Sequence, residues 1–163
     1  MNLHGPPGEC VVAGHGMLDG RRVVGFSQDF AIFSGTMGEM HARKICKILE
    51  LAEKGRLPVI GIWDGDGQRP HEGVTSLGPN GEMLDLLVSC SGKVPILSIV
   101  LGTVSGTSAL AAGLSDFVIL GQQRGRMFMR SPYVIPEIIS GEVDEATLGG
   151  APHHASRPSP HQL

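Results

Sequence analysis

Two glycine-rich stretches carry the residue types best suited to chemistry. Asp64-Gly65-Asp66-Gly67-Gln68 follows the apolar run VIGIW, and Gly102-Thr103-Val104-Ser105-Gly106-Thr107 follows ILSIVL. A turn after a buried strand directs backbone N–H groups outward, and paired N–H donors stabilise an oxygen on which negative charge develops in a transition state. The second stretch reads as leading into a helix, whose first amides and dipole also favour an anion. The amides of Gly67, Gln68, Gly106 and Thr107 are therefore the candidate catalytic donors. Taken alone, each stretch reads first as ordinary turn chemistry, because glycine after a strand most often serves only the turn.

The side chains around the first stretch are the next candidates. Arg69 has the fork geometry for a carboxylate or a phosphate, Trp63 immediately precedes the turn, and Glu72 and His71 invite a general acid and base reading. Glu72 also stands three residues after Arg69, close enough to pair with it and fix the loop. At the start of the amphipathic segment from Met37 to Lys54, Glu39 reads as a favourable N-terminal charge and His41 as a surface imidazole. The adjacent His153 and His154, with His161 further on, are read as incidental and not as metal ligands. Cys10, Cys46 and Cys90 are odd in number, show no C-x-x-C spacing and sit in apolar surroundings, so they are expected as core thiols in a reduced compartment.

Alternating elements must position these groups. VVAGHGML and RRVVGFSQDF flank Asp19-Gly20, a hairpin signal. Over Met37 to Lys54, Ala42, Ile45, Leu49 and Ala52 recur at helical spacing, Glu39/Arg43 and Glu50/Lys54 are i,i+4 pairs, and Gly55 follows as a stop. Leu57 to Trp63 reads as a strand buried on both faces. Pro79 to Ser91 reads as a helix with Met83, Leu86, Leu87 and Cys90 on one stripe. Val94 to Leu101 is the next expected strand, followed by a sharp turn, a helix from about Ser105, strands at Asp116 to Leu120 and near Met127, and a helix near Val134 to Ile139. Strands alternating with helices place the chain in the α/β class.

Composition narrows the function. The chain has 163 residues, 41% of them hydrophobic, the size of one domain able to bury a core. Its formal net charge of −3 comes with 13 scattered Lys and Arg, so no basic stripe points to nucleic acid. Val94 to Leu114 is uncharged and about long enough to span a bilayer, yet Pro95, three glycines and several hydroxyls favour a buried strand, turn and helix. Met1 to Glu9 is polar and unlike a secretory leader, and the expected location is cytoplasmic, with no membrane partner. The expected organisation is a flexible N-terminus at 1–9, one domain at 10–150 and a disordered tail at 151–163, the last from its Pro, Ser and His content.

FSQDF at Phe26 to Phe30, GEMHARKICKI at Gly38 to Ile48 and WDGDGQRPHEGVTSLG at Trp63 to Gly78 together resemble the amino-terminal half of the carboxyltransferase component of biotin-dependent acyl-CoA carboxylases. That component is a branch of the crotonase-like superfamily. Asp64, Gly67, Arg69, Glu72, Gly73 and Val74 stand at the positions of the family's first turn. Gly106 matches the first of two adjacent glycines in the second, with Thr107 in place of the other. Asp116-Phe117, Met127-Phe128, Pro132, Gly141-Glu142 and Leu148-Gly149-Gly150-Ala151 continue the match.

The resemblance implies an α/β spiral of ββα units, and an acyl thioester, on CoA or an acyl-carrier protein, whose enolate is held by backbone oxyanion holes. Arg69, Trp63 and Glu72 are the candidate substrate-binding side chains, with Trp63 reading first as core and Glu72 first as a partner of Arg69. The resemblance also implies no covalently bound cofactor, biotin only where a separate carrier protein brings it, a second carboxyltransferase half as partner, and a homo-oligomer, trimer or hexamer. Asp66 departs from the pattern by placing a carboxylate where a small uncharged residue is usual, Thr107 puts a β-branched residue in the second turn, and Arg130-Ser131 replace small residues before Pro132. Two functions follow: an enzyme subunit acting in carboxyl transfer or decarboxylation, or an inactive truncated homologue serving as an assembly or regulatory subunit.

Overall fold

The computed structural model describes residues 9–131 and 144–156. The chain opens with an antiparallel hairpin of β1 (Val11–Leu18) and β2 (Arg21–Gln28). Asp19 and Gly20 both take positive φ, 48° and 78°, which matches the twist of a two-residue hairpin turn. Helix α1 (Glu39–Gly55) then leads to β3 (Val59–Gly65), α2 (Leu77–Cys90), β4 (Ile96–Ser105), α3 (Gly106–Gly113), β5 (Phe117–Leu120) and β6 (Arg126–Phe128). Short helices α4 (Glu145–Gly149) and α5 (Ala151–Ser156) follow.

The strands form one sheet in the order β1-β2-β3-β4-β5, with β6 joined to the far end of β4. All pairs after the hairpin are parallel, as crossover helices require. The register puts Val24, Val59 and Ile96 in one row and Phe26, Gly61 and Ser98 in the next, on the face that the helices cover. A side chain at Gly61 would collide with the Phe26 ring, which meets Trp63 edge-on at 4.9 Å between centroids. From α1, Ile45, Leu49 and Ala52 enter this core, and from α2 Met83, Leu87 and Cys90 do. The expected helical stripes are therefore the buried ones, and the Glu39/Arg43 and Glu50/Lys54 pairs both form.

Four expectations need correction. The strand expected to be buried on both faces is covered on one: Val59, Gly61 and Trp63 are buried while Ile60 and Ile62 are half-buried. On the same outer rows, Leu101, Phe117 and Ile119 are exposed. The second glycine-rich stretch is not a turn from Gly102 onward. Strand β4 continues to Ser105 because Thr103, Val104 and Ser105 pair with β6 and Val104 is fully buried, so the chain bends only at Gly106. Gly65 likewise belongs to β3.

Ala151–Ser156, expected within a disordered tail, is helical: Pro152 sits in the first turn, where its missing N–H costs nothing, and the N–H groups of His153 and His154 donate to the Gly150 carbonyl. Residues 1–8, the expected helix near Val134 to Ile139, the family positions Pro132, Gly141 and Glu142, and His161 lie outside the described residues. The uncharged run from Val94 to Leu114 divides into β4 and α3, and no described helix is long and apolar enough to cross a membrane.

Candidate active site

The two stretches meet at the ends of adjacent parallel strands, where Gly65 is paired with Val104 across a bulge. Gly67, at φ +70°, lies against the Ser105 backbone so closely that a Cβ would approach the Ser105 carbonyl oxygen to 2.8 Å. The Ser105 hydroxyl donates to Asp66 Oδ1 at 2.8 Å. Asp66 is thus tied across to β4, which answers how a carboxylate is accommodated in this turn.

The four candidate donors are not equivalent. Gly67 N–H turns back onto the Gly65 carbonyl at 3.0 Å, so it is engaged within its own loop. Gln68 is bridged to Met37, flanked by Met37 N–H donating to the Gly67 carbonyl and Arg69 N–H donating to the Met37 carbonyl. In such a parallel bridge the Gln68 N–H faces away from Met37. Gly106 takes φ +54° and opens α3, whose first amides have no intrahelical acceptor and receive no cap from the Ser105 side chain. Thr107 does not have positive φ, so its β-branch is unstrained; the glycine before it absorbs the bend.

A cleft of about 730 Å³ opens beside this junction, lined by Phe30, Asp64, Asp66, Leu101, Thr103 and Arg124 among others. Gly102 is required there because the Asp64 carboxylate occupies the space that a Cβ would need. Burial raises the Asp64 carboxyl above the ordinary range, and the charge of Asp29 adds to it. None of the four candidate donor residues lines the cleft.

The three side chains expected to bind substrate face inward. Trp63 is buried, with Nε1–H donating to Ser98 Oγ at 2.8 Å. Arg69 is 3% exposed. Its Nη1 pairs with Glu72 Oε1 at 2.6 Å and lies 3.0 Å from Glu9 Oε2, which supplies charge without an aligned hydrogen bond. Its Nη2 donates to Cys10 Sγ and to the Thr36 carbonyl, both at 3.0 Å, and the guanidinium stacks 4.7 Å over Phe33. Glu72 uses its other oxygen to accept the Glu39 N–H at 2.6 Å, capping α1. Burial works to raise the Glu72 carboxyl, but the Glu39 N–H and Arg69 outweigh it and hold the group below the ordinary range. These contacts make Arg69 and Glu72 a clamp between the loop and α1. His71 is exposed, its ring tilted 6.0 Å from Phe33.

Sequence reasoning missed the group beneath the loop. His41, expected at the surface, is fully buried, with Nε2 3.2 Å from Gln28 Nε2 and Nδ1 3.5 Å from Cys10 Sγ. Gln28 Oε1 accepts the Asp64 N–H at 3.0 Å. The pattern contained a signal for both residues. His41 precedes Ile45 by one helical step on the apolar stripe, and Gln28 continues the alternation of Val24 and Phe26. The three cysteines are free and buried, as expected. Among the described residues no group of three or more His, Cys, Asp or Glu is placed to hold a metal.

Comparison with known proteins decides the lineage. The family model described as "Carboxyl transferase domain" matches residues 1–158. This chain belongs to the carboxyl transferase domain family. It is 43% identical over 147 residues to a putative propionyl-CoA carboxylase beta chain of Bacillus subtilis, covering 90% of this chain and 29% of that one. To the methylmalonyl-CoA decarboxylase subunit alpha of Propionigenium modestum it is 42% identical over 150 residues, covering 92% and 29%. The structure of transcarboxylase 12S with methylmalonyl-coenzyme A and methylmalonic acid bound superposes with a TM-score of 0.84 at 35% identity, covering 88% of this chain and 28% of that chain. The crotonase-like α/β fold expected from the resemblance is therefore the observed one. The chain spans about 29% of the length of these curated relatives.

Proposed function

We propose that this carboxyl transferase domain binds an acyl thioester, on CoA or an acyl-carrier protein, and stabilises its enolate during carboxyl transfer or decarboxylation. The observation that carries the reading is the start of α3. Gly106 at positive φ presents the first amides of a helix directly after a parallel strand, beside the Gly67–Gln68 turn. Such donors act where negative charge develops on the thioester oxygen, and the helix dipole adds to them. The relatives support the substrate class, since they are named for propionyl-CoA and methylmalonyl-CoA chemistry.

In this reading Gln68, Gly106 and Thr107 are the working donors, and Gly67 shapes the turn. Arg69 and Glu72 hold the turn to α1, and Trp63 anchors the strand that leads into it. Biotin, where the reaction uses it, arrives on a separate carrier, and a further carboxyltransferase half completes the site. The assembly-subunit alternative draws on two observations, the engaged Gly67 N–H and a cleft that excludes the donor residues.

The test is a titration of the 15N-labelled chain with propionyl-CoA and, separately, with free CoA. Thioester-dependent shifts at the Gln68, Gly106 and Thr107 amides are expected, with no transfer of a carboxyl group from carboxybiotin by the chain alone. Absence of shifts at all three amides under saturating thioester would favour the assembly role.

A further inference from the structure

A chain of buried polar contacts runs under the donor turn and touches both of its ends. At the near end, the Asp64 N–H donates to Gln28 Oε1 at 3.0 Å. Gln28 is 5% exposed and its nitrogen lies 3.2 Å from His41 Nε2, with His41 fully buried. His41 Nδ1 lies 3.5 Å from Cys10 Sγ, and the same sulfur accepts from Arg69 Nη2 at 3.0 Å. Arg69 immediately follows the turn at its far end.

The donors and acceptors along this chain leave one arrangement. An N–H can donate only to the oxygen of an amide, so the Asp64 contact fixes which way Gln28 faces, and its NH₂ group must point at His41. His41 Nε2 then has to accept, which puts the ring proton on Nδ1, aimed at Cys10 Sγ. The Cys10 thiol donates its own proton to the Thr36 carbonyl at 3.1 Å. Every member has a partner, as a buried polar network needs.

We propose that His41 is a positioning residue for the turn that follows β3: its neutral ring, protonated on Nδ1, orients Gln28, and Gln28 sets the direction of the Trp63–Asp64 peptide that leads into that turn. The link from that turn to thioester binding rests on the function proposed above, whereas the positioning itself does not. Burial also favours the neutral ring.

Two variants separate the two ring nitrogens. In His41→Gln the side-chain oxygen can stand where Nε2 stands and accept from Gln28, while in His41→Asn the amide reaches only the Nδ1 position facing Cys10. Both are neutral and both keep a polar group buried, but Asn is the smaller, so His41→Met, which fills the space without accepting a hydrogen bond, is the control. A merely space-filling role would leave its Asp64 exchange near that of wild type, whereas the positioning role predicts exchange as fast as in His41→Asn. Hydrogen exchange of the Asp64 amide is measured in the wild type and all three variants without ligand, at a temperature where circular dichroism shows each folded. Exchange about 10-fold or more faster in His41→Asn, with His41→Gln within about 3-fold of wild type, is the expected result.

Long-range 1H–15N spectra of the wild type should show Nδ1 protonated and Nε2 bare. Equal exchange in His41→Gln and His41→Asn, exchange near that of wild type in His41→Met, or a proton on Nε2, overturns the proposal. A propionyl-CoA titration of the same proteins separates the two readings. Exchange that follows the expected order in a chain that binds no thioester would leave the positioning role standing and remove the proposed function.

Discussion

Acid should destabilise this protein through His41. The ring is held neutral by burial first and then by the positive charges of Arg69 and Lys44, which together lower its pKa from 6.5 to about 3. The folded state therefore resists a proton that the unfolded chain accepts readily. Stability from this group is fully present above pH 6.5 and is lost as pH falls from 6.5 toward 3, where the unfolded state binds more protons. pH 4 lies about 2.5 units below the ordinary imidazole value of 6.5 that the unfolded chain keeps, which at about 1.36 kcal/mol per unit amounts to about 3 kcal/mol. For a domain of this size that corresponds to roughly 6–12 °C in Tm.

The assay is urea unfolding of wild type and His41→Gln at pH 7 and pH 4. The carboxylates, including Glu72 and Asp64, titrate in both proteins, so the difference between the two pH-dependent losses isolates the imidazole. The wild type should lose about 3 kcal/mol more than the variant between the two pH values. Equal losses would refute the reasoning, because they would mean that His41 takes up its proton without breaking the contact with Gln28.

Three further outcomes follow from the same geometry. Replacing Glu72 with Gln removes the charge opposite a buried Arg69 and the anionic cap of α1, so chemical denaturation should show a loss of about 1–3 kcal/mol, reduced at high salt. At Gly106 a Cβ meets nothing within 4 Å and only the positive φ opposes it. Gly106→Ala should therefore cost about 1–2 kcal/mol of stability while weakening the thioester-dependent shifts at Gln68 and Thr107 by NMR. The exposed apolar residues Val12, Leu101, Phe117 and Ile119 lead us to expect a homo-oligomer with an interface above about 1,000 Å² per pair; a stable monomer by sedimentation at micromolar concentration would count against it.

The local elements and the lineage are legible along the chain. The Asp19-Gly20 turn, the stripe of α1 with its two i,i+4 ion pairs, the apolar strands and the matching residues from Trp63 to Gly78 all depend on neighbours along the chain, where spacing is visible. The chain also presented Glu72 as a partner of Arg69, three residues away. Groups whose partners lie far off in sequence are not legible there. Whether β4 stops at Gly102 or runs to Ser105 depends on pairing with β6, and β6 is not in view when the stretch from Gly102 to Thr107 is read alone. His41 looked like a surface imidazole because its partners, Cys10 and Gln28, are 31 and 13 residues away. Arg69 looked free for a ligand because Glu9, Cys10 and Thr36 close on it only when the hairpin, α1 and the loop are packed together. A buried polar side chain must be satisfied by whatever the fold brings to it, and that choice is made by packing in three dimensions, which a one-dimensional pattern does not contain.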